Sequence, residues 1–171
     1  MKKLPILFIG LVVAVVVLLS SVYIVDERQK ALVVQFGQIK DTKEDAGLAF
    51  KVPFIQSVEY FDARILSLET AETEVTPSDD RRLVVDAFAR YRIVDVQKFK
   101  RAVSTGGLRK AEVDLNGIII DRIRAVLGAD GVTSNTILSA ERTALMQQVT
   151  SQADTRARQL GVEILDVRLK Q

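Results

Sequence analysis

The sequence predicts an α+β domain carried behind a single N-terminal transmembrane helix. Three observations lead there. Residues 6–25 contain no charged side chain. Residues 30–94 alternate apolar and polar side chains at the two-residue period of strands. Residues 95–171 change to helical spacing and close on one more alternating run. Strands, then helices, then a strand is the order of an α+β domain with an antiparallel, strand-rich first half (30–94) and a helix-rich second half (95–171) ending in a strand.

The apolar run "ILFIGLVVAVVVLLSSVYIV" reaches ~30 Å as a helix at ~1.5 Å per residue, the thickness of a bilayer's hydrocarbon core. Ile6, Leu11, Val16, Tyr23 and Val25 are its expected anchor residues, with the Tyr23 ring suited to the interface. Lys2 and Lys3 precede it and Asp26-Glu27-Arg28 close it. The two lysines place residues 1–5 in the cytoplasm and the domain, residues 26–171, across the membrane. A cleaved signal peptide is the alternative, but the run exceeds an h-region of ~7–15 residues and no A-x-A-like site follows Ser20-Ser21.

Behind the anchor, Leu32, Val34 and Phe36 share one face of a strand that Gly37 ends. After the polar loop "KDTKED", Leu48, Phe50, Val52 and Phe54 point one way while Ala49, Lys51 and Pro53 point the other. That alternation predicts a mainly core, half-buried strand with Pro53 at its edge or end. A Thr- and Glu-rich strand over 65–76 and the turn "PSDD" lead into residues 82–94. There Leu83, Val85, Ala87, Ala89, Tyr91 and Ile93 form one apolar-leaning face, with Arg90 and Arg92 opposite.

Asp95 then caps a short helix containing Phe99 and Val103, which Gly106-Gly107 break. Positions 108, 111, 115, 118, 119, 123 and 126 mark a long helix stopped by Gly128. Gly117 inside it costs ~1 kcal/mol relative to Ala and suggests a close packing contact. Ser139 is placed to cap a third helix, whose stripe is Leu145, Val149, Ala153, Ala157 and Leu160. Gly161 ends that helix, and Leu165, Val167 and Leu169 alternate with charged residues in the closing strand.

Composition narrows the function. There is no Cys and no His, which removes thiol chemistry, the commonest general base and the commonest transition-metal ligand. Of 24 basic side chains, two precede the anchor; the other 22 balance 22 acidic ones. A neutral domain has no electrostatic footprint for nucleic acid. No catalytic, cofactor-binding or metal-binding residue emerges. No G-x-S-x-G elbow or phosphate loop is present, and no motif pairs a Ser with a Lys. Glu69, Glu72 and Glu74 read as a solvated strand face, and Asp79-Asp80 as turn chemistry. Arg81 and Arg82 read as a solvated face paired with nearby acids or as a basic patch for lipid headgroups or a partner.

In this order, "KALVVQFGQI", "AGLAFKVPFIQSVEYFDARI", "VVDAFARYRIVD", "IRAVLG", "ILSAER" and "GVEILDVRLKQ" resemble the stomatin/prohibitin/flotillin/HflK-C (SPFH, band 7) superfamily, within it the HflC-type modulators of the protease FtsH. Ala46 stands where the family usually has Pro before Gly47-Leu48. Relatives continue into a long Ala/Glu/Arg-rich helix, so the chain reads as the N-terminal part of such a protein or a truncated product. The resemblance implies a non-enzymatic scaffold without cofactor. It would assemble as a hetero-oligomer with an HflK-like partner, regulate an FtsH-type AAA protease and organise lipid. It would sit in the bacterial inner membrane as a single-pass protein with a periplasmic domain, and Phe50, Pro53, Phe54 and Ile55 would be its contacts with the membrane surface. A stomatin- or prohibitin-type organiser without a protease partner, and an anchored lipid- or small-ligand-binding module, are the alternatives.

Overall fold

The structure is a computed structural model, and it describes residues 11–12, 15–103, 106–139 and 141–170. It divides into two compact units, Met1–Ala63 and Arg64–Gln171. Among the described residues every strand pairing is antiparallel.

Unit 1 contains strands β1 (Val22–Val25), β2 (Gln29–Gln35), β3 (Gln38–Lys43), β4 (Gly47–Phe50) and β5 (Gln56–Asp62). β2 lies between β3 and β5, while β1 pairs with β4. Ala31, Leu32, Val33 and Val34 of β2 are all buried, so this strand is covered on both faces. Tyr23 and Val25 pack with Ala31 and Val33, joined by Ala49 and Val58.

The predicted transmembrane helix over 6–25 is corrected here. Residues 15–20 are helical, but Val22–Val25 form β1 and pair with Gly47–Phe50. Tyr23 and Val25, expected to face lipid, are 7% and 2% exposed in the unit 1 core. Among the described residues, no helix is long and apolar enough to cross a membrane. Leu11 and Val16 are helical and exposed; Ile6 and residues 1–5 lie outside the described residues. The physical reason is local. Val22-Tyr23-Ile24-Val25 is β-branched and aromatic and fits a two-residue period, which a charge-free run conceals. The helix stops at Ser20-Ser21, where the Ser21 hydroxyl donates to the Val17 carbonyl at 2.8 Å.

Unit 2 contains β6 (Leu66–Glu69), β7 (Thr73–Val75), β8 (Leu83–Val85), β9 (Ala87–Ile93), α1 (Val96–Val103), α2 (Gly107–Leu127), α3 (Ser134–Leu138), α4 (Arg142–Ala157) and β10 (Val162–Leu169). Its main sheet runs β10-β9-β6, with β7-β8 a separate pair. Ala87, Ala89, Tyr91 and Ile93 are buried as the alternation predicts. The core adds Phe99 from α1, Leu115, Ile119 and Ile123 from α2, and Val149 from α4.

Three sequence expectations change in unit 2. A bulge between Ile164 and Asp166 switches the buried face of β10. Val162 and Ile164 face the core before it and Val167 and Leu169 after it, leaving Leu165 39% exposed. Gly117 is exposed, with open space where a Cβ would stand, so it marks no packing contact. Residues 134–138 form α3, capped by the Thr133 hydroxyl. Ser139 ends that helix, and the buried stripe of α4 is Met146, Val149, Ala153 and Ala157.

α4 also closes the free edge of β10. Asp154 Oδ1 accepts from the Ile164 N–H at 2.9 Å and Thr150 Oγ1 from the Val167 N–H at 3.1 Å, while Arg142 donates to the Leu169 carbonyl at 3.2 Å. Side chains thus satisfy backbone groups that would otherwise template another strand. Gly161, at φ +75°, accepts from the Val94 and Asp95 N–H groups, and a Cβ there would collide with the Asp95 carbonyl.

Candidate functional site

The feature that stands out from a normal soluble surface lies in unit 1. In β1–β4, Val22 stands opposite Phe50 and Ile24 opposite Leu48. Directly opposed residues share a face. That face points outward: Ile24, Leu48 and Phe50 are 68%, 67% and 77% exposed. The inward face carries Tyr23, Val25 and the small Ala49. The predicted strand is also shorter, ending at Phe50. So Leu48, Phe50, Val52 and Phe54, expected mainly in the core, form an outer surface.

Two turns extend it. β2 and β3 are joined by the two-residue turn Phe36-Gly37, both at positive φ (49° and 79°), as a type I′ hairpin requires. Asn, Asp and Gly favour that first position; here it is a phenylalanine, 85% exposed. Between β4 and β5, Phe54 also has positive φ, 67°, and is 90% exposed. A bulky residue held there costs roughly 1–3 kcal/mol and persists only where its surroundings fix it.

Glutamines do that fixing. The Val52 N–H donates to Gln56 Oε1 at 2.7 Å, and the Gln56 N–H returns to the Val52 carbonyl at 3.0 Å. The Gln56 amide donates to Gln35 Oε1 at 3.2 Å, and Gln35 pairs with Gln56 across β2–β5. The two turns therefore lie at the same end of unit 1. Sequence reasoning singled out Phe50, Pro53, Phe54 and Ile55, and the structure brings them together in or beside β4; Pro53 is half-buried, the other three exposed. It missed Phe36, whose signal was a large aromatic before Gly37 in a hairpin turn, where a small polar residue belongs.

The helical residues 15–20 meet the same end. The Lys51 N–H donates to the Ser21 carbonyl at 2.7 Å. Val16, Leu18 and Leu19 on that helix are 55%, 68% and 73% exposed. Tyr60 donates its hydroxyl to the Ile24 carbonyl at 3.3 Å. Burial, with lesser effects of Asp41 and Tyr60, raises the Tyr23 phenol above its ordinary pKa, so Tyr23 stays neutral.

Unit 2 holds a cavity of about 360 Å³ between Arg142, Met146 and Gln147 of α4 and Asp166 and Arg168 of β10. Thr143 and Val167 also line it, and Arg168 pairs with Asp166 at 2.6 Å. Tyr91, pushed up to about 12 by burial and then by the Glu112 carboxylate, stays protonated. Among the described residues no cluster of acids could hold a metal ion. The surface carboxylates meet cations instead: Glu69 lies 3.1 Å from Lys170, Glu74 3.5 Å from Arg82, and Asp79 3.9 Å from Arg81.

Comparison with known proteins fixes the family. Residues 23–171 match the model of the SPFH domain / Band 7 family. The chain belongs to that family. Protein HflC of Haemophilus influenzae is 32% identical over an alignment covering 98% of this chain and 58% of that protein. The Escherichia coli K12 protein named modulator of FtsH protease HflC is 31% identical over 69% of this chain and 37% of its own length. Protein HflC of Treponema pallidum is 33% identical over 75% and 39%. This SPFH chain thus spans less than two thirds of the length of these relatives.

Proposed function

We propose that this SPFH chain is an HflC-like modulator of a membrane-bound, FtsH-type ATP-dependent protease. It works as a non-enzymatic scaffold beside an HflK-like partner at the bacterial inner membrane, with its folded part on the periplasmic side. The observation that carries the reading is the likeness to HflC proteins along 98% of the chain. Phe50, Pro53, Phe54 and Ile55 are its contact with the membrane surface. The exposure of Phe50, Phe54 and Ile55 supports this, since a cluster of large apolar side chains on the surface marks an interaction site.

Affinity capture of the full chain from solubilised bacterial membranes, read by mass spectrometry, tests the protease reading. An HflK-like protein and an FtsH-type protease should be recovered together. Recovery of the expressed chain without either would leave the stomatin- or prohibitin-type organiser in its place.

A further inference from the structure

The edge of β10 is closed by α4 only in part, and the gap falls at a cavity. In an antiparallel ladder, opposed residues alternate between exchanging both main-chain bonds and exchanging neither. Ala87 donates its N–H to the Thr70 hydroxyl and accepts at its carbonyl from the Thr70 N–H. Leu169, which stands opposite Ala87, therefore turns both of its main-chain groups away from β9, and so does Val167 two residues back. The Lys170 N–H points the other way and donates to the Asp86 carbonyl at 2.9 Å.

Of these four outward groups, α4 serves two. Thr150 Oγ1 accepts from the Val167 N–H, and Arg142 donates to the Leu169 carbonyl. The Val167 carbonyl and the Leu169 N–H, between those two clasps, have no partner among the described residues. Both residues are buried, at 0% and 6% exposure, and buried main-chain groups are rarely left unpaired. The cavity of about 360 Å³ lies along this stretch, with Arg142, Met146 and Gln147 on one wall and Asp166, Val167 and Arg168 on the other. Its charges are unequal. Arg168 is held by Asp166 at 2.6 Å, whereas the half-buried Arg142 has no carboxylate partner among the described residues.

We propose that this cavity binds an acidic, extended peptide segment of a partner protein, added alongside β10. A carbonyl and an N–H on residues two apart, Val167 and Leu169, are what the N–H and C=O of one residue in a parallel strand meet. In such strand addition the main chain provides affinity and the surrounding walls provide selection. Arg142 provides the charge, because its guanidinium keeps donors beyond the one at the Leu169 carbonyl. A carboxylate there makes a charge-assisted bond, about twice as strong as a neutral one. Met146, flexible and polarisable, adapts the floor to an adjoining apolar side chain. A bare anion would use Arg142 but leave the Val167 carbonyl, an acceptor, unpaired; a peptide satisfies both. The site lies wholly within unit 2 and does not depend on the protease reading.

The test is NMR of the isotope-labelled full chain in dodecylmaltoside micelles, titrated with acetyl-Ala-Val-Glu-Val-Ala-amide. The amide signals of Val167, Arg168 and Leu169 should shift saturably, Leu169 downfield as its N–H gains an acceptor. Replacing the peptide's Glu by Gln should weaken binding about tenfold, and so should Arg142→Gln, which keeps a donor for the Leu169 carbonyl. Arg101→Gln, exposed and outside the cavity lining, should change nothing. N-methylation scanned along the peptide should abolish binding at the residue whose N–H meets the Val167 carbonyl.

Binding that needs the charge but tolerates N-methylation at every position overturns the strand pairing and leaves an anion site. Shifts that spare Leu169, or no saturable shift with peptide in the millimolar range, overturn the site altogether. Slow exchange of the Leu169 N–H in the free chain does so too, by showing that the chain itself fills the gap. Should Arg142→Gln fail to fold, the altered peptides decide alone, since they leave the protein unchanged.

Discussion

In unit 2, β9 turns Ala89, Tyr91 and Ile93 inward and Arg90 and Arg92 to solvent. In unit 1, β4 turns the small Ala49 inward and leaves Leu48 and Phe50 on the outside. Both strands alternate cleanly. Alternation states which residues share a face, because the side-chain period of a strand is two. It does not state which face the rest of the chain covers. β9 puts its large apolar side chains where folding uses them; β4 holds Leu48 and Phe50 where folding does not.

The contrast predicts opposite signs for truncating an aromatic in each unit. The largest effect belongs to Phe99→Ala. Phe99 is 1% exposed, and removing a buried ring costs about 3–5 kcal/mol. Urea unfolding should show that loss; a change below 1 kcal/mol would remove Phe99 from the core.

Next comes the edge of β10. Thr150→Val keeps the volume but leaves the Val167 N–H without its acceptor. Leaving a half-buried donor unpaired should cost about 1–3 kcal/mol. Faster hydrogen exchange in β10 would accompany it, and unchanged exchange there would show that the edge is closed by other means.

In unit 1 the sign reverses. Phe36→Asn places a residue tolerant of positive φ in the Phe36-Gly37 turn and should raise stability by roughly 1 kcal/mol. A destabilised Phe36→Asn would mean that the ring packs in the fold after all, and the comparison between units would fail.

The smallest effect is acid-dependent and confined to unit 2. The Asp79 carboxylate, held by the Ser134 hydroxyl and N–H, and Asp95, which accepts from the Lys98 N–H, both lie below their ordinary pKa. Such groups contribute stability above the unfolded value of about 3.9 and lose it as pH falls through the folded value. Asp79→Asn should lower stability at neutral pH and flatten its fall in acid. Parallel acid curves for Asp79→Asn and wild type would show that this carboxylate contributes no such pH dependence.

Much of unit 2 was legible in the sequence because its signals are redundant. The apolar face of β9, the helical spacing of α2 and the stop at Gly161 each agree with the packing they serve. The failures have identifiable causes. The bulge at Leu165 shifts a register by one residue, and nothing in "VEILDVRL" distinguishes that from regular alternation. The short helix α3 depends on its Thr133 cap rather than on periodicity. In unit 1, an uncharged run hid the change from helix to strand at Ser21, since hydropathy does not distinguish lipid from a protein core. Because a hairpin turn is expected to be polar, the alternation puts Phe36 on a strand face with Leu32 and Val34, whereas β2 ends at Gln35 and Phe36 stands exposed in the turn. The positive φ of Phe36 and Phe54 is a three-dimensional fact that no linear pattern states.

Hydrogen–deuterium exchange of the full chain, with and without fluid phosphatidylcholine vesicles, tests the difference between the units most directly. Residues 35–38 and 50–56 should gain protection on the vesicles, while β9 and β10 exchange as they do in solution. Protection centred on β9 and β10, or none in the two unit 1 turns of vesicle-bound protein, would contradict the account.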